Sequence, residues 1–492
     1  MTPAASASDP PNSDLATDAM TTLGGLLARV DADVARTMHT HGDTEVHIED
    51  VTNDSRAVRA GSLFCCVRGE RHDGHDFAAE AVRLGAVALL VDRVLDLPGV
   101  AQVVATDTRR ATGHVAAAFH GHPSRELCVV GITGTNGKTT TAHMLGAILS
   151  RNGRKTTVLG TLSGARTTPE APELQRTLAH EHANGTQAVV MEVSSHALAL
   201  QRVAGMRFAA AVFTNLGHDH LDFHRTYDAY FAAKASLFSR VYTDRAVVNC
   251  DDAYGRKIAA DTDCVVTTYG LDDASDVRID SASSSFEWRG AQLRCRVGGS
   301  FNVTNALAAA TTAAELGVSV ADISGALGDL PRIPGRFENV NDGGEFAVLV
   351  DYAHTPEALL NVIGAARGVA ARSGRVIVVF GCGGDRDSSK RPAMGAAAST
   401  ADAVHVTSDN PRSEDPQAII DEIVAGVPSA RRDAVTVEVD RRLAIEAACR
   451  SAREGDVVLI AGRGHETMQS HRDREIPFDD AEVARAALRV IA

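Results

Sequence analysis

The chain alternates, many times over, between a short apolar run of strand-forming residues and a longer Ala-rich run with helical character. Such alternation predicts an α/β architecture built on largely parallel sheets. No internal repeat of fixed period is present. A chain of 492 residues corresponds to roughly three domains of ordinary size, so the alternation must be distributed over several sheets.

Clusters of polar residues follow the apolar runs at seven places. In the middle of the chain, the runs Leu127–Ile132, Ala188–Met191 and Ala209–Phe213 lead into the clusters 133–138, 192–196 and 214–220. Further on, Ala347–Val350, Val376–Phe380, Val404–Thr407 and Val457–Ala461 lead into 351–354, 381–386, 409–412 and 462–466. Because ligands bind at the carboxyl ends of parallel strands, this pattern predicts two sheets, each with a binding edge.

Turn signals and motif positions divide the chain into four parts. We expect a disordered tail over residues 1–24, a first domain over 25–125, a central domain over 126–334 and a C-terminal domain over 335–492. The last boundary falls at Pro334-Gly335-Arg336, where a Pro/Gly turn interrupts the pattern. The first domain contains the strand candidates Ser62–Val67 and Val87–Val91.

Composition narrows the classes of partner. Lys and Arg total 49 against 63 Asp and Glu, a net charge of −14, which disfavours nucleic acid and anionic membranes as general partners. Aromatic residues are only 4% of the chain, which argues against a base-stacking platform. The eight cysteines form no CxxC pair, as expected for a reducing, cytoplasmic compartment. We see neither a signal peptide nor an apolar run long enough to span a membrane.

The segment Gly131–Thr141, GITGTNGKTTT, predicts a phosphate-binding loop that opens a helix over Lys138–Leu149. Glycines allow several backbone N–H groups to point at a phosphate, and the helix N-terminus favours negative charge. Lys138 would reach the β- and γ-phosphates, and the Thr139 hydroxyl would hold Mg²⁺. The strict GxxxxGK[ST] spacing is not met, because Ile132 occupies the first glycine position. The alternative is a tight strand–helix turn without a ligand.

A dense group of histidines and carboxylates follows this loop along the chain. Glu192 comes directly after a predicted strand and can bind a hard cation. The other members are His196, His218, His220, Asp222 and His224. A polar loop with incidental histidines and a zinc site are alternatives, but the upstream phosphate loop favours a Mg²⁺–nucleotide site.

Lys234 lies on the apolar stripe of a predicted helix over Tyr227–Phe238. A buried lysine has a lowered pKa, and its neutral amine can react with CO₂ to form a carbamate. From spacing alone, a lysine whose amine extends to solvent is the favoured interpretation.

Nine segments together resemble the ATP-dependent Mur ligases, which build the peptide stem of the bacterial cell wall. These are Gly131–Thr141, Met191–Leu198, Asn215–His224, Ser300–Ala309, Pro334–Glu338, Asp351–Leu359, Gly381–Asp387, Asp409–Pro416 and Gly462–Glu466. The resemblance covers nearly the whole chain from about Val51, and it is strongest to the members that add 2,6-diaminopimelate. It implies a phosphate-loop ATPase-type central sheet, a Rossmann-like C-terminal domain and a smaller α/β N-terminal domain.

The resemblance implies roles for the central motifs. The implied ATP-binding residues are Gly134, Thr135, Asn136, Gly137, Lys138, Thr139, Thr140, Asn302, Asn305, Arg336 and Asp351, with His354 close to Asp351. The implied Mg²⁺ ligands are Thr139, Glu192, His220 and Lys234 as N6-carboxylysine. For Lys234, the resemblance thus replaces the interpretation that its amine extends to solvent. The implied catalytic residues are Lys138, Lys234, His220 and Arg336.

The resemblance also implies two substrate sites. A UDP-muramoyl-dipeptide would contact Ser55, Arg56, Thr167, Thr168, Ser194 and Arg202. Some relatives have Gln where this chain has Leu200, and the adjacent Gln201 leaves that contact open. Diaminopimelate would contact Arg386, Asp409, Asn410, Pro411, Arg412, Gly462 and Glu466.

The identity of the expected amino acid is inferred from Arg412 and Glu466. The Arg412 guanidinium suits the distal carboxylate of diaminopimelate, and Glu466 suits its distal ammonium. The alternative for Arg412 is a surface ion pair with Glu414 or Asp415. Ser388-Ser389 departs from the glycine that is more usual in the family, which leaves the shape of that loop open.

The expected activity is that of an ATP-dependent acid–amino-acid ligase. It would join meso-2,6-diaminopimelate to the D-Glu of UDP-N-acetylmuramoyl-L-Ala-D-Glu through an acyl phosphate. This reaction belongs to peptidoglycan precursor synthesis, and so to cell shape and division. We expect a monomer with small-molecule substrates only. The alternatives are a ligase that adds lysine or glutamate (folate polyglutamylation included), an ATPase-driven binding protein and a phosphate-loop hydrolase.

Overall fold

The computed structural model describes residues 21–69 and 72–491. Most of the predicted tail, residues 1–20, therefore lies outside the described residues. The chain divides into two compact units, one of residues up to His122 with Ala171–Arg176, and one of Pro123–Glu170 with Thr177–Ala492. No helix within the described ranges is long and apolar enough to cross a membrane.

The first unit is a small α/β structure. Its strands are β1 (Thr21–Thr22), β2 (Met38–His41), β3 (His47–Ile48), β4 (Asp50–Thr52), β5 (Ser62–Cys65), β6 (Ala88–Val91) and β7 (Ala101–Ala105). Its helices are α1 (Leu23–Leu27), α2 (Ala32–Ala35), α3 (Ala78–Arg83) and α4 (Thr108–Phe119). Five strands form a sheet in the order β2-β7-β6-β5-β4, in which only β2 is antiparallel.

Three boundaries in the first unit differ from the sequence predictions. The predicted tail extended to residue 24, but α1 begins at Leu23 because Leu23 and Leu26 are fully buried in the core. The predicted strand Ser62–Val67 ends earlier, at Cys65. The strand predicted at Val87–Val91 is β6, one residue shorter at its start.

The second unit begins with a six-stranded parallel sheet. Its strands are β8 (Cys128–Thr133), β9 (Thr156–Leu159), β10 (Ala188–Glu192), β11 (Ala210–Phe213), β12 (Arg245–Asn249) and β13 (Val265–Tyr269), in the order β13-β12-β11-β8-β10-β9. The helices along this part are α5 (Pro123–Glu126), α6 (Lys138–Arg151), α7 (Ala171–Ala183), α8 (Ser195–Ala199), α9 (Leu221–His224), α10 (Tyr227–Ala235) and α11 (Ala253–Asp261).

An antiparallel sheet and two helices follow. The strands are β14 (Ser275–Ile279), β15 (Ser284–Trp288) and β16 (Ala291–Cys295), and the helices are α12 (Ser300–Glu315) and α13 (Val320–Asp329). The Ala-rich α12 packs against α6. Because small side chains let two helix backbones approach closely, this contact brings the start of α12 to the loop before α6.

A second six-stranded sheet completes the unit. Its strands are β17 (Glu338–Asn339), β18 (Ala347–Asp351), β19 (Val376–Phe380), β20 (Ala403–Val406), β21 (Val435–Val437) and β22 (Val457–Ala461), in the order β17-β18-β22-β19-β20-β21. Only β17 is antiparallel. The hairpin β23 (Met468–His471) and β24 (Arg474–Pro477) and the helices α14 (Pro356–Val369), α15 (Arg391–Ala398), α16 (Pro416–Ala425), α17 (Arg441–Ser451) and α18 (Asp480–Ile491) surround it.

The seven predicted strand–motif junctions are confirmed. The polar clusters follow β8, β10 and β11 in the first six-stranded sheet and β18, β19, β20 and β22 in the second. Within each sheet these strands are direct neighbours. Parallel pairing therefore gathers the clusters at one edge of each sheet, as the sequence predicts.

Arg441 and Asp480 form a buried ion pair that joins α17 to α18. Both side chains are fully buried, and two of the guanidinium nitrogens donate to the two carboxylate oxygens at 2.8 Å. The guanidinium also donates to the Ala461 carbonyl at the end of β22, at 2.9 Å. This pair therefore supports the edge of the sheet at which the polar motifs lie.

We expect Asp480→Ala to lower the free energy of unfolding by about 3–5 kcal/mol, because it leaves the Arg441 charge buried without a partner. The control is Glu446→Ala, which removes the half-exposed pair with Arg450 and should cost less than about 0.5 kcal/mol. Urea unfolding measures both values. Equal losses in the two variants would contradict the role of the buried pair.

Candidate functional site

The edges of the two six-stranded sheets contribute to one cavity of about 400 Å³. Its lining combines the loop before α6, the end of β10, the loop after β11, the start of α12 and the loop after β18. The predicted residues that line it are Thr135, Asn136, Gly137, Lys138, Thr139, Thr140, Thr167, Glu192, Ser194, His220, Lys234, Asn305, Arg336, Asp351 and His354.

The loop before α6 is held in a conformation that depends on glycine. Gly137 has φ +83°, and an added Cβ there would collide with the Asn305 side chain. The N–H groups of Thr135 and Asn136 are already bonded, to the carbonyl and the side-chain oxygen of Asn215, both at 2.9 Å. Intrahelical bonding starts at the Thr141 N–H. The N–H groups at the start of α6 are therefore the donors left for an anion.

Lys138 folds back over this loop. Its amine donates to the carbonyls of Gly134 and Thr135, both at 2.8 Å. Burial lowers the pKa of Lys138, and the carboxylates of Glu192 and Asp219 oppose that shift. The amine thus lies beside the first turn of α6, where it adds positive charge to the dipole of the helix.

The Thr139 hydroxyl joins the two sheets. It donates to Glu192 Oε1 at 3.0 Å and accepts from the Arg336 guanidinium at 3.0 Å. Arg336 also lies over the Tyr352 ring, 4.6 Å from its centroid. Arg336 belongs to the segment that begins the second sheet, so the structure brings this residue to the phosphate loop.

Glu192 has the environment of a cation ligand. Its side chain is 2% exposed, and its oxygens accept from the Thr139 hydroxyl and from the N–H and hydroxyl of Thr161. No lysine, arginine or histidine of the described chain forms an ion pair with it. A buried carboxylate without a cationic partner fits a divalent metal with oxygen ligands. Across residues 21–69 and 72–491, no three His, Cys, Asp or Glu side chains are grouped closely enough to hold a metal by themselves.

Lys234 is buried, 1% exposed, and its amine does not extend to solvent. The interpretation that spacing favoured is therefore wrong, because α10 turns this face inward against the loop before α6. The amine donates to the Gly134 carbonyl at 2.7 Å and lies 4.8 Å from the Tyr230 ring centroid. Burial and the charge of Lys138 hold its pKa well below the ordinary value, so a larger fraction is neutral amine.

The histidines form a compact aromatic group. The His196 ring lies 4.7 Å from that of His220 and 5.5 Å from that of His224. Burial, with the charges of His196, Lys138 and Lys234, lowers the pKa of His220 to about 3. Burial also lowers the pKa of His224 to about 4. Both imidazoles are therefore neutral near pH 7, as a metal-binding imidazole requires. His218 is exposed.

The loop after β18 is fixed by Asp351. Its two oxygens accept from the N–H groups of Phe337 and Ala353, both at 2.8 Å. Burial raises the pKa of Asp351, and Arg336 opposes the shift. The carboxylate thus holds the backbone next to Arg336, while the His354 ring contacts the Tyr352 carbonyl at 2.8 Å.

Asn302 and Asn305 open α12 as predicted, but their positions differ. Asn305 lines the cavity and contacts Gly137, whereas the fully buried Asn302 lies behind it. The Asn302 oxygen accepts from the Asn305 amide at 2.9 Å. Asn302 therefore orients Asn305 instead of lining the cavity.

The predicted dipeptide-binding residues of the second unit form one hydrogen-bonded group. The Thr168 hydroxyl donates to the Glu192 carbonyl at 2.9 Å and accepts from the Ser194 N–H at 3.1 Å. Arg202 donates to the Thr168 carbonyl and pairs with Glu170 at 2.8 Å. Thr168 is 1% exposed, so it supports the group, and Thr167 and Ser194 face the cavity.

Ser55 and Arg56 lie in the first unit, in a short 3₁₀ turn after β4. The Arg56 guanidinium pairs with Asp54 at 2.7 Å and is largely exposed. The structure thus places both residues just after the carboxyl end of β4, the edge at which ligands commonly bind in α/β sheets.

A second polar cluster lies at the ends of β20 and β22, and we call it the clamp: Asp409, Asn410, Arg412, Gly462 and Glu466. The Asn410 amide donates to Glu466 Oε2 at 2.7 Å. Arg412 donates to the Gly384 carbonyl at 2.7 Å. Burial, with the nearby Asp409, raises the pKa of Glu466, so a cation at this point would stabilise the carboxylate.

The alternative for Arg412, a surface ion pair, is wrong. Glu414 pairs instead with the buried Arg391 at 2.9 Å, and Asp415 caps α16. Arg412 adopts φ +52°, and its guanidinium donates to the Gly384 carbonyl instead. The half-buried guanidinium forms no ion pair with any described residue.

Two predicted contacts lie at the border of the clamp. Arg386 is exposed, in a loop where Asp385 has φ +52°. The Pro411 carbonyl packs so closely on Gly384 that a Cβ there would collide with it. Ser389 bonds to Asp387 through its N–H at 2.9 Å, which gives this loop a compact turn without the usual glycine.

Sequence reasoning missed several residues. Arg463, inside a recognised motif, is fully buried and bonds to Asn410 at 2.8 Å. Tyr230 bonds to the Thr135 hydroxyl at 2.9 Å, and Glu357 accepts from the His218 N–H at 3.1 Å. A sequence signal exists for only one of these residues: Tyr230 lies four positions before Lys234 and so shares its face of the helix.

The site has a phosphate-binding helix start beside a carboxylate suited to a metal, and a polar clamp at the edge of the second sheet. This is the arrangement of a nucleotide-dependent ligase. Three family descriptions match the chain: "Mur ligase family, catalytic domain" at residues 47–122, "Mur ligase middle domain" at 132–313 and "Mur ligase, glutamate ligase domain" at 335–464.

Individual proteins agree with these matches. A protein of Syntrophomonas wolfei named UDP-N-acetylmuramoyl-L-alanyl-D-glutamate–2,6-diaminopimelate ligase is 44% identical over 471 residues, or 91% of this chain and 96% of that protein. One of the same name from Geobacillus kaustophilus is 45% identical over 462 residues, 89% of this chain and 94% of that protein. A solved structure with that name has a TM-score of 0.66 at 30% identity, covering 96% of this chain and 99% of that one. The chain belongs to the Mur ligase family.

We expect Gly137→Ala to weaken ATP binding about tenfold or more, because displacing Asn305 and the loop disturbs donors to a charged ligand. Gly153 at the other end of α6 is a matched control, with φ +86° and open space around an added Cβ. Both substitutions carry a similar backbone strain, and only the first reaches the cavity. Calorimetric titration with ATP measures both. Equal affinities would contradict the role assigned to this loop.

Proposed function

We propose that the protein joins meso-2,6-diaminopimelate to the D-Glu γ-carboxylate of UDP-N-acetylmuramoyl-L-Ala-D-Glu, with ATP as the energy source. The names of the relatives at 44% and 45% identity support this substrate pair. In this proposal residues 25–125 bind the uridine nucleotide, 126–334 bind ATP and 335–492 bind the amino acid. The enzyme acts in the cytoplasm as a monomer, in peptidoglycan precursor synthesis.

The clamp is the observation that carries the proposal. Arg412 has no carboxylate partner among the described residues. Glu466 accepts from the Asn410 amide at Oε2, which also lies 3.8 Å from the Arg463 guanidinium, and its Oε1 has no hydrogen-bond partner among the described residues. One guanidinium and one carboxylate fit a molecule end that carries both a carboxylate and an ammonium. The distal end of diaminopimelate has both groups, whereas the distal end of lysine has only the ammonium.

The chemistry begins with a poor electrophile. A carboxylate oxygen attacks the γ-phosphorus of ATP, the bond to the β-phosphate oxygen breaks, and ADP leaves with that electron pair. The product is an acyl phosphate. Lys138, Arg336 and the N–H groups at the start of α6 oppose the negative charge gathered on the transferred group.

Four residues would hold Mg²⁺: Thr139, Glu192, His220 and Lys234 as its carbamate. When bound, the ion supplies positive charge to the phosphate oxygens. Glu192 and Thr139 are already hydrogen-bonded at 3.0 Å. Carbamate formation converts a buried cation into an oxygen ligand, and the lowered pKa of Lys234 supports it, because only the neutral amine adds to CO₂.

The second step forms the amide. The neutral amine of diaminopimelate attacks the acyl carbon, a proton leaves the nitrogen, and the tetrahedral intermediate expels inorganic phosphate. The acyl phosphate must be kept from water until the amine arrives. The contact between Arg336 and Thr139 supports closure of the second sheet over the loop as the means of exclusion.

The test of the proposed function is ADP release with the UDP-muramoyl-dipeptide, compared between diaminopimelate and lysine. We expect release that depends on diaminopimelate and is at least about tenfold slower in kcat/KM with lysine, which leaves Arg412 without its carboxylate. Incorporation of lysine alone would contradict the choice of substrate. ATP turnover independent of any amino acid would indicate an ATPase-driven binding protein or a hydrolase instead.

We expect Lys234→Ala to lose activity, because the buried carbamate is removed. Added bicarbonate should not restore it, whereas acetate or formate should restore a measurable fraction by placing a carboxylate in the space. The control is Lys257→Ala, an exposed lysine that also lies over an aromatic ring, at 4.9 Å from that of Phe231. Steady-state rates measure the effect, and full activity of Lys234→Ala would contradict a role for the carbamate.

A further inference from the structure

Arg463 is the buried centre of the clamp. Its side chain is fully buried between the end of β22 and the hairpin β23–β24. One terminal nitrogen donates to the Asn410 side-chain oxygen at 2.8 Å and lies 3.8 Å from Glu466 Oε2. The other donates to the carbonyls of Met468 at 2.9 Å and Phe478 at 3.1 Å. No substrate contact accounts for this residue, since its guanidinium faces the protein.

These bonds determine which way the Asn410 amide points. A guanidinium has only donors, so the Asn410 oxygen must face Arg463. The Ser470 N–H donates to the same oxygen at 2.9 Å. The reversed amide would place its own N–H groups against two donors. The Asn410 nitrogen is therefore directed to Glu466 Oε2, at 2.7 Å.

The orientation of Asn410 in turn determines the orientation of Glu466. The amide donates to Oε2, the oxygen that Arg463 also approaches at 3.8 Å, and Oε1 has no hydrogen-bond partner among the described residues. A carboxylate held at one oxygen presents the other in a defined direction, and it loses less side-chain entropy when it binds a ligand. Glu466 is thus ready to accept from an ammonium group.

Arg463 also supports Arg412 through the hairpin. The carbonyls that it binds, of Met468 at the start of β23 and Phe478 just after β24, lie together at the open end of the hairpin. Within the hairpin, the Ser470 carbonyl accepts from the Arg412 N–H at 3.0 Å. One side chain therefore connects to both charged groups of the clamp, and only the planar, five-donor guanidinium can make all these bonds at once.

We propose that Arg463 is a positioning residue for amino-acid specificity, which orients Glu466 through Asn410 toward the distal ammonium of the incoming amino acid. This inference rests on the proposed function. It predicts that Arg463 discriminates in favour of amino acids with a distal ammonium, although it does not touch them.

The experiment compares two acceptors in the full-length enzyme, meso-diaminopimelate and 2-aminoheptanedioate, which keeps both carboxylates and lacks the distal ammonium. The readout is the ratio of their kcat/KM values. We expect the unmodified protein to prefer diaminopimelate by about 10- to 100-fold, the range of one hydrogen bond to a charged group. In Arg463→Met this preference should fall about tenfold or more, while KM for ATP stays unchanged.

Two further variants keep the test valid if Arg463→Met does not fold. Arg463→Lys keeps the charge without the planar fork and should give an intermediate ratio. Asn410→Asp keeps Arg463 and the hairpin bonds but places a carboxylate against Glu466, so its ratio should also fall. The control is Arg431→Met, a half-buried arginine that donates to the Ser399 and Ala401 carbonyls and should leave the ratio unchanged.

The outcomes separate this inference from the proposed function. An unmodified protein that does not use diaminopimelate overturns the proposed function, and the inference with it. A protein that uses diaminopimelate, with a ratio unaltered in the Arg463 and Asn410 variants, overturns the inference alone. Equal losses with both acceptors would indicate a purely structural role and would also overturn it.

Discussion

The hydroxyl of Thr139 is the point on which the arrangement of the cavity depends. It accepts from Arg336 and donates to Glu192, so one small group connects the second sheet, the phosphate loop and the end of β10. A hydroxyl can donate and accept at the same time, whereas a carboxylate or an amine in this place could not serve both neighbours. Glu192 and Arg336 can therefore both face the cavity without forming an ion pair with each other.

Buried charges without partners distinguish this cavity from the rest of the core. Arg441 and Asp480 are buried and paired, as stability requires. Glu192 and Lys234, by contrast, are buried without an ion-pair partner among the described residues. Keeping such groups costs stability, and in the proposed function they become ligands of the metal. In the proposed function, the Arg412 guanidinium and Glu466 Oε1, which has no hydrogen-bond partner among the described residues, bind the two charges of one ligand.

Much of the fold could be predicted from the sequence, because strand ends and motifs coincide. Apolar runs of four to six residues, each followed by a polar cluster, gave the seven strands that carry the cavity and the clamp. The burial of Lys234 could not be predicted from strand ends and motifs, since a lysine on an apolar stripe can point inward or outward. Only the packing of α10 against the phosphate loop decides between the two. Arg463 was missed for a related reason, because its partners Asn410 and Phe478 lie on separate segments that meet only in the folded chain.

The central claim, a Mur-family ligase that forms an acyl phosphate on the substrate's D-Glu γ-carboxylate, has a direct test in isotope transfer. The UDP-muramoyl-dipeptide is labelled with ¹⁸O in that carboxylate and incubated with ATP, Mg²⁺ and diaminopimelate, and the products are analysed by mass spectrometry. The account predicts a product larger by one diaminopimelate residue and one ¹⁸O atom in each inorganic phosphate released. Phosphate without ¹⁸O, or phosphate release without the larger product, would contradict it.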